Sequence, residues 1–270
     1  MCKSVYLRNN IKVEGNLNSP RTLIFAHGFG SDQSAWNDVK PAFVDQYKIV
    51  LYDQVGAGCS DLAAYSPAKY SSLYGYAHDL LELCHALELA EPVFIGHSAS
   101  AIVGLMASSM EPDLFSSLIL LTPSPRYLND LGYVGGFEQE DLDALYQQME
   151  LNYYNWSSGF SKLAMGNPEQ PSLAELFAGK LRELRPDIAL QVIRSIFQTD
   201  IRSLLPMITP EVLIIQSNND IAVAPEVGPY MHAHLKDAKL VNIDASGHLP
   251  HVSAAGAVIT AIQNFLNVAT

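Results

Sequence analysis

Apolar positions along the chain fall into two alternating patterns. Short runs rich in β-branched and aliphatic residues occur at Thr22 to Ala26, Lys48 to Tyr52, Val93 to Ile95, Leu118 to Leu121, Val212 to Ile215 and Leu240 to Ile243. Their near-continuous hydrophobicity is that of strands buried on both faces. Between them, helical patterns predict elements at about Tyr70 to Leu89, Ala99 to Met110, Pro225 to Leu235 and Ala254 to Val268. Strand-helix alternation of this kind implies an α/β fold with a mostly parallel sheet covered by helices. Ser4 to Leu7 and Lys12 to Gly15 flank Asn9-Asn10, a pair able to supply the positive φ angles of a tight hairpin, so an antiparallel start is expected.

The rhythm breaks between about Pro125 and Leu205. There Glu140 to Asn155, Ser172 to Leu184 and Asp187 to Thr199 read as helices with no strand between them. Helices in series inside an α/β chain indicate an insertion, so residues 1–124 and 203–270 are expected to form the core and 125–202 a helical cap. The bulky residues Tyr127, Phe137, Leu145, Trp156, Phe160, Ile196 and Phe197 point inward on this reading, as a pocket lining or as a packed interface.

Composition narrows the function classes. Of 270 residues, 49% are hydrophobic and 16% charged, which suits a large core and excludes disorder. The formal charge of -12 gives a field that repels polyphosphate and anionic lipid, so neither nucleic acid nor a membrane surface is an expected partner. Polar residues interrupt every apolar stretch well before the ~18 positions a bilayer requires, and no signal-peptide core opens the chain; a cytoplasmic protein is expected. Cys2, Cys59 and Cys84 have neither disulfide nor metal-ligand spacing.

The chemistry concentrates at Phe94-Ile95-Gly96-His97-Ser98-Ala99-Ser100-Ala101, a small-residue corner between an apolar strand and a helix. It resembles the nucleophile elbow of the α/β-hydrolases, with Ser100 where a glycine is usual. A serine hydroxyl attacks only when a base takes its proton and a third group fixes that base. Leu213 to Asp220 places an aspartate just past a strand, and Ser246-Gly247-His248-Leu249-Pro250 a histidine just past the next. The chain order Ser98, Asp220, His248 is that of this fold. Singly, Asp220 is as well explained as a turn cap and His248 as a turn residue; jointly the triad reading is favoured. Asp244 and His251 are less well placed, and His97, on the turn itself, is expected to line or pack the site.

Acyl transfer also needs two backbone N–H donors for the oxyanion. Ala99, after the nucleophile, and Phe29, in His27-Gly28-Phe29-Gly30, occupy the positions this fold uses. The segment Asp53-Gln54-Val55-Gly56-Ala57-Gly58-Cys59-Ser60 imitates a dinucleotide fingerprint, but Asp61 stands where the third glycine belongs. It resembles a loop-shaping turn of the α/β-hydrolases, and no cofactor or metal is expected.

Longer strings sharpen the resemblance: His27 to Ser34, Ser124-Pro125-Arg126-Tyr127-Leu128-Asn129-Asp130, and Gly135-Gly136-Phe137-Glu138-Gln139-Glu140. They are similar to the RsbQ branch of the α/β-hydrolases, which holds a bacterial regulator of a stress sigma-factor pathway and the plant karrikin and strigolactone receptors. The segments Met165 to Pro171 and Tyr230 to Leu235 look closer to the bacterial member, whereas Ser100 resembles the plant elbow. The resemblance implies an eight-stranded-type sheet and a V-shaped, four-helix lid. It also implies an apolar pocket walled by Phe29, Tyr127, Phe137, Leu145, Trp156, Phe160, Ile196, Phe197 and Ala222. The implied function is cleavage of a small hydrophobic ester, lactone or butenolide-like molecule, with a regulatory role. The alternative is a small-molecule sensor with slow hydrolysis that acts through a protein partner.

Overall fold

A computed structural model describes residues 2–267. The strands are β1 (Lys12–Gly15), β2 (Thr22–Ala26), β3 (Lys48–Tyr52), β4 (Val93–His97), β5 (Ser117–Leu121), β6 (Glu211–Asn219) and β7 (Ala238–Ser246). They form one sheet in the order β1-β3-β2-β4-β5-β6-β7, in which β1 is antiparallel to β3 and the other pairings are parallel. Because β3 lies on one side of β2 and β4 on the other, the winding reverses between β2 and β4. That reversal opens a crevice at their carboxyl ends, where α/β folds bind ligands.

The apolar runs are continuous because the sheet has two covered faces. Along each central strand successive side chains alternate between layers: Ile24, Phe94, Leu118 and Ile214 enter one core, and Phe25, Ile95, Ile119 and Ile215 the other. The first core is closed by α2 (Tyr74–Ala86), α3 (Ala99–Met110) and the helices inserted between β5 and β6. The second is closed by Trp36, Phe43 and the helix Ala255–Leu266. At about 25 cal/mol per Å² of apolar surface, each such side chain stabilises the fold by roughly 1.5–3 kcal/mol.

The chain's start departs from expectation. Cys2–Arg8 is a helix, α1, and no hairpin forms; β1 pairs with β3, leaving seven strands among the described residues where eight were expected. Asn10 does take a positive φ, 44°, but as part of the helix's exit, where Asn9 N–H donates to Val5 O and Ile11 N–H to Tyr6 O. Tertiary packing overrides the strand propensity here: Val5 is buried in the first core, and Arg8 reaches Asp79 on α2 at 3.2 Å. The predicted helix at Tyr70 begins later, at Tyr74, and Val268, the predicted end of the last helix, lies outside the described residues.

The insertion contains α4 (Gln139–Met165), α5 (Pro171–Glu183) and α6 (Pro186–Phe197). Backbone angles leave the helical region at Asn152 (φ −159°, ψ 86°), so α4 bends and the segment presents four helical arms among the described residues. The periodicity ended the helix at Asn155 and lacked the second arm, whereas the resemblance implied four helices. Ser157 and Ser161 are accommodated because their hydroxyls donate to main-chain oxygens of the preceding turn, at Tyr154 and Ser158. Asp53, in the glycine-rich turn, accepts from Gln33 N–H (2.9 Å), Cys59 N–H (2.9 Å) and Asn10 Nδ2 (2.7 Å), binding three loops together. Cys59 and Cys84 are free thiols, and no described helix is long and apolar enough to cross a membrane.

Candidate active site

Ser98 sits between β4 and α3 with φ 53° and ψ −117°, an angle pair strained for a residue with a side chain. The corner closes only because Gly96 has none: a Cβ there would lie 2.9 Å from the carbonyl carbon of Ser100 and 2.6 Å from the Phe94 ring. Ser98 N–H donates to Leu121 O at 2.9 Å, which fixes the corner to β5.

β6 and β7 run several residues past their predicted ends, to Asn219 and Ser246, and carry the next two groups to the same edge of the sheet. His248 Nε2 lies 2.7 Å from Ser98 Oγ, and His248 Nδ1 lies 2.8 Å from Asp220 Oδ2. Asp220 keeps its other oxygen on the N–H of Ala222 (2.8 Å), and its side chain is fully buried. With an ionised carboxylate at Nδ1, that nitrogen carries the proton and Nε2 presents a lone pair to the serine hydroxyl. His248 O accepts from His97 Nε2 at 2.7 Å and from Thr122 Oγ1 at 3.2 Å. Its N–H donates to Ala164 O at 2.7 Å, so the histidine loop is tied directly to the last turn of α4.

The discarded candidates lie elsewhere. Asp244 is exposed on β7. His251 is buried, stacked between Trp36 (4.7 Å) and His97 (4.3 Å), with neither ring nitrogen hydrogen-bonded. Burial, reinforced by the neighbouring His248, pushes its pKa down to about 3. Burial, with His251 and His248 beside it, likewise holds His97 well below the usual histidine range. Both rings are therefore neutral near pH 7, and His97 acts as a packed prop for the His248 loop.

Ala99, at the start of α3, and Phe29, in the loop after β2, flank the winding reversal on the adjacent strand ends. Neither main-chain N–H has a protein acceptor among the described residues.

Ser98 and His248 open into a small apolar cavity lined also by Phe29, His97, Tyr127, Phe160, Ile196, Phe197 and Ala222, all expected there. Burial raises the Tyr127 phenol above its ordinary range, so it stays protonated. Ala164, Phe177, Ile193 and Leu249 complete the wall and were not foreseen. Three expected wall residues are elsewhere. Phe137 stands behind Phe197, edge-on at 5.2 Å. Leu145 and Trp156 line an open groove between the arms of α4, where Trp156 stacks on Phe160 at 4.9 Å. Phe160 borders both spaces, so the groove lies outside the wall that Phe160 forms. A helix facing two ways was read from sequence as facing one.

A mostly parallel sheet with serine, carboxylate and histidine at the ends of β4, β6 and β7 defines a class, and comparison with known proteins gives its name. Residues 23–261 match the model of the Alpha/beta hydrolase family, and the chain belongs to that family. It is 45% identical to a probable esterase of Oryza sativa subsp. japonica over 93% of both chains. It is 42% identical to a karrikin insensitive 2 receptor of Petunia hybrida over 96% of both. Among solved structures, a hydrolase from Oleispira antarctica superposes with a TM-score of 0.95 at 36% identity, covering 99% of this chain and 98% of the other.

Proposed function

We propose that this protein is a serine hydrolase that cleaves a small hydrophobic ester or lactone through an acyl-enzyme. The observation that carries the reading is the unbroken relay Ser98 Oγ, His248 Nε2, His248 Nδ1, Asp220 Oδ2, with 2.7 Å and 2.8 Å links at the floor of an apolar cavity. Ser98 Oγ attacks the carbonyl carbon as His248 Nε2 takes its proton, and Asp220 stabilises the imidazolium. The carbonyl oxygen, now negative, takes hydrogen bonds from the N–H groups of Phe29 and Ala99. His248 then gives the proton to the departing alcohol; a lactone's alcohol stays on the acyl group. Water, deprotonated by His248, repeats the attack and returns Ser98. No metal or cofactor has a step in this scheme, and a cytoplasmic site of action is part of the proposal.

Purified protein is expected to hydrolyse short-acyl p-nitrophenyl esters and a simple butenolide, and Ser98→Ala to lose that activity. Undiminished turnover by the Ser98 variant would overturn the assignment.

A second reading, in which the same pocket serves signalling, is favoured by the receptor relatives and by the tie from His248 N–H to Ala164 O. Through that bond the state of the histidine loop reaches the cap. A ligand acts as a signal only if it favours one cap arrangement over another. Hydrogen exchange across residues 139–197, with and without a butenolide ester, tests this. Protection that changes on binding supports a sensor whose cap meets a protein partner; unchanged protection leaves hydrolysis alone.

A further inference from the structure

We propose that Ser100 is a positioning residue for the oxyanion hole: its hydroxyl sets the spacing between the Phe29 and Ala99 amides. The inference rests on the hydrolase reading above and deepens it. The two donors belong to separate segments, one after β2 and one opening α3, so some bond must hold the segments in register. A glycine at position 100 has no side chain to make one. Here Ser100 is fully buried, and its Oγ donates to the carbonyl of His27 while accepting from Gln54 Nε2 at 2.5 Å.

The same loop is held at further polar points before Phe29. Gln54 N–H donates to His27 Nε2 at 3.0 Å, and His27 Nδ1 donates to Gly28 O at 2.9 Å. On its inner side Gly28 rests on the His97 ring, where a Cβ would come within 2.4 Å of Nδ1. The outer side is different: a second, small cavity is lined by His27, Gly28, Phe29, Gln54 and Ala99. The inserted helices pack on the loop at Gly30, through Leu181 and Phe177, but at His27 and Gly28 packing is closer on the His97 side, and movement outward there is resisted by the Ser100 and Gln54 hydrogen bonds. Oxyanion donors act when they lie about 2.7–3.1 Å from the developing charge, and misplacement by ~1 Å costs on the order of 10²-fold.

The test compares p-nitrophenyl acetate with its thionoester in the parent, Ser100→Ala and Gln54→Leu. Sulfur accepts hydrogen bonds poorly, so the ratio of kcat/KM for oxygen over sulfur reads the hole itself and ignores generic loss of active enzyme. Ser100→Ala is expected to lower kcat on the oxoester by roughly 10- to 100-fold with KM little changed, and to shrink the oxygen-to-sulfur ratio by about the same factor. Gln54→Leu, at the partly open end of the tie, should move both in the same direction by less. An unchanged ratio in both variants overturns the proposal even if rates fall, because a merely structural serine depresses both substrates alike. Parent activity that survives Ser98→Ala would instead overturn the hydrolase reading beneath it.

Discussion

The two halves of the cavity are built by different means. The floor comes from the sheet: Ser98, Asp220 and His248 stand at strand ends, each fixed by main-chain hydrogen bonds at or beside the functional group. The roof comes from the inserted segment, whose Phe160, Phe177, Ile193, Ile196 and Phe197 offer only hydrocarbon and aromatic surface. Hydrogen bonds fix direction to fractions of an ångström, whereas apolar contacts fix volume and tolerate repacking. On the proposed function, chemistry belongs to the floor and selection to the roof, and substitutions in the two halves should fail differently.

The sharpest separation is at Asp220. Asparagine there keeps the shape but presents an amide to His248 Nδ1, favouring the tautomer that cannot accept the Ser98 proton. Asp220→Asn should lower kcat on a p-nitrophenyl ester by about 10⁴-fold while leaving ligand affinity near the parent value. Steady-state kinetics with calorimetric titration of a non-hydrolysable analogue check both. A comparable loss of affinity would break the division of labour.

In the roof the corresponding lesion is mechanical. Leu181 on α5 is fully buried, and its side chain packs where a Cβ on Gly30 would stand, 2.5 Å from Cδ2. Leu181→Ala should cost about 2–5 kcal/mol of stability, read from denaturant midpoints, by opening a void between cap and core. Leu181 is not among the residues that line the Ser98 cavity, so activity at low temperature should persist.

The same division decides what the sequence made legible. Ala99 to Met110 was bounded correctly, and the relay Ser98, Asp220, His248 was readable because strand ends and chain order are local properties. Leu145 and Trp156 were misplaced because a helix's rotation about its own axis depends on what it packs against, and the bend at Asn152 changes that partner midway. Phe177 and Ile193 carried a signal that went unused: Ile193 lies three and four residues before Ile196 and Phe197 on one face of α6, and Phe177 shares a helical row with Ala174, Ala178 and Leu181 on α5. Ser4 to Leu7 looked like a strand until Val5 found a core to enter as a helix.

Beneath the floor lies a pH-sensitive support. The pKa values of His97 and His251 are depressed in the folded protein, so the unfolded chain binds more protons as pH falls below ~6.5. Stability is then lost on acidification, by up to roughly 1.4 kcal/mol per pH unit for each ring, over a window from ~6.5 down towards the folded-state values. Urea midpoints from pH 7.5 to 5 should show this slope, and His251→Phe, which keeps the stack on Trp36, should flatten part of it. A slope unaltered by that variant would move the acid sensitivity to other groups.

The smallest effect is also the one most specific to the roof. Ile193 lines the cavity from α6 and is 1% exposed, and its hydrocarbon side chain offers no hydrogen bond to Ser98, His248 or Asp220. Ile193→Val removes one methyl group from the wall, which a hydrophobic pocket reads as about 1 kcal/mol or a little more of discrimination between acyl groups differing by one methylene. Acetyl ester turnover should stay within about twofold of the parent, because Ser98, His248 and the two amides are untouched, while the preference for propanoyl over acetyl esters should rise by ~5-fold. A uniform fall for every chain length would mean that the α6 wall steers the reacting groups as well as admitting them, and the boundary between floor and roof would have to be redrawn through Ile193.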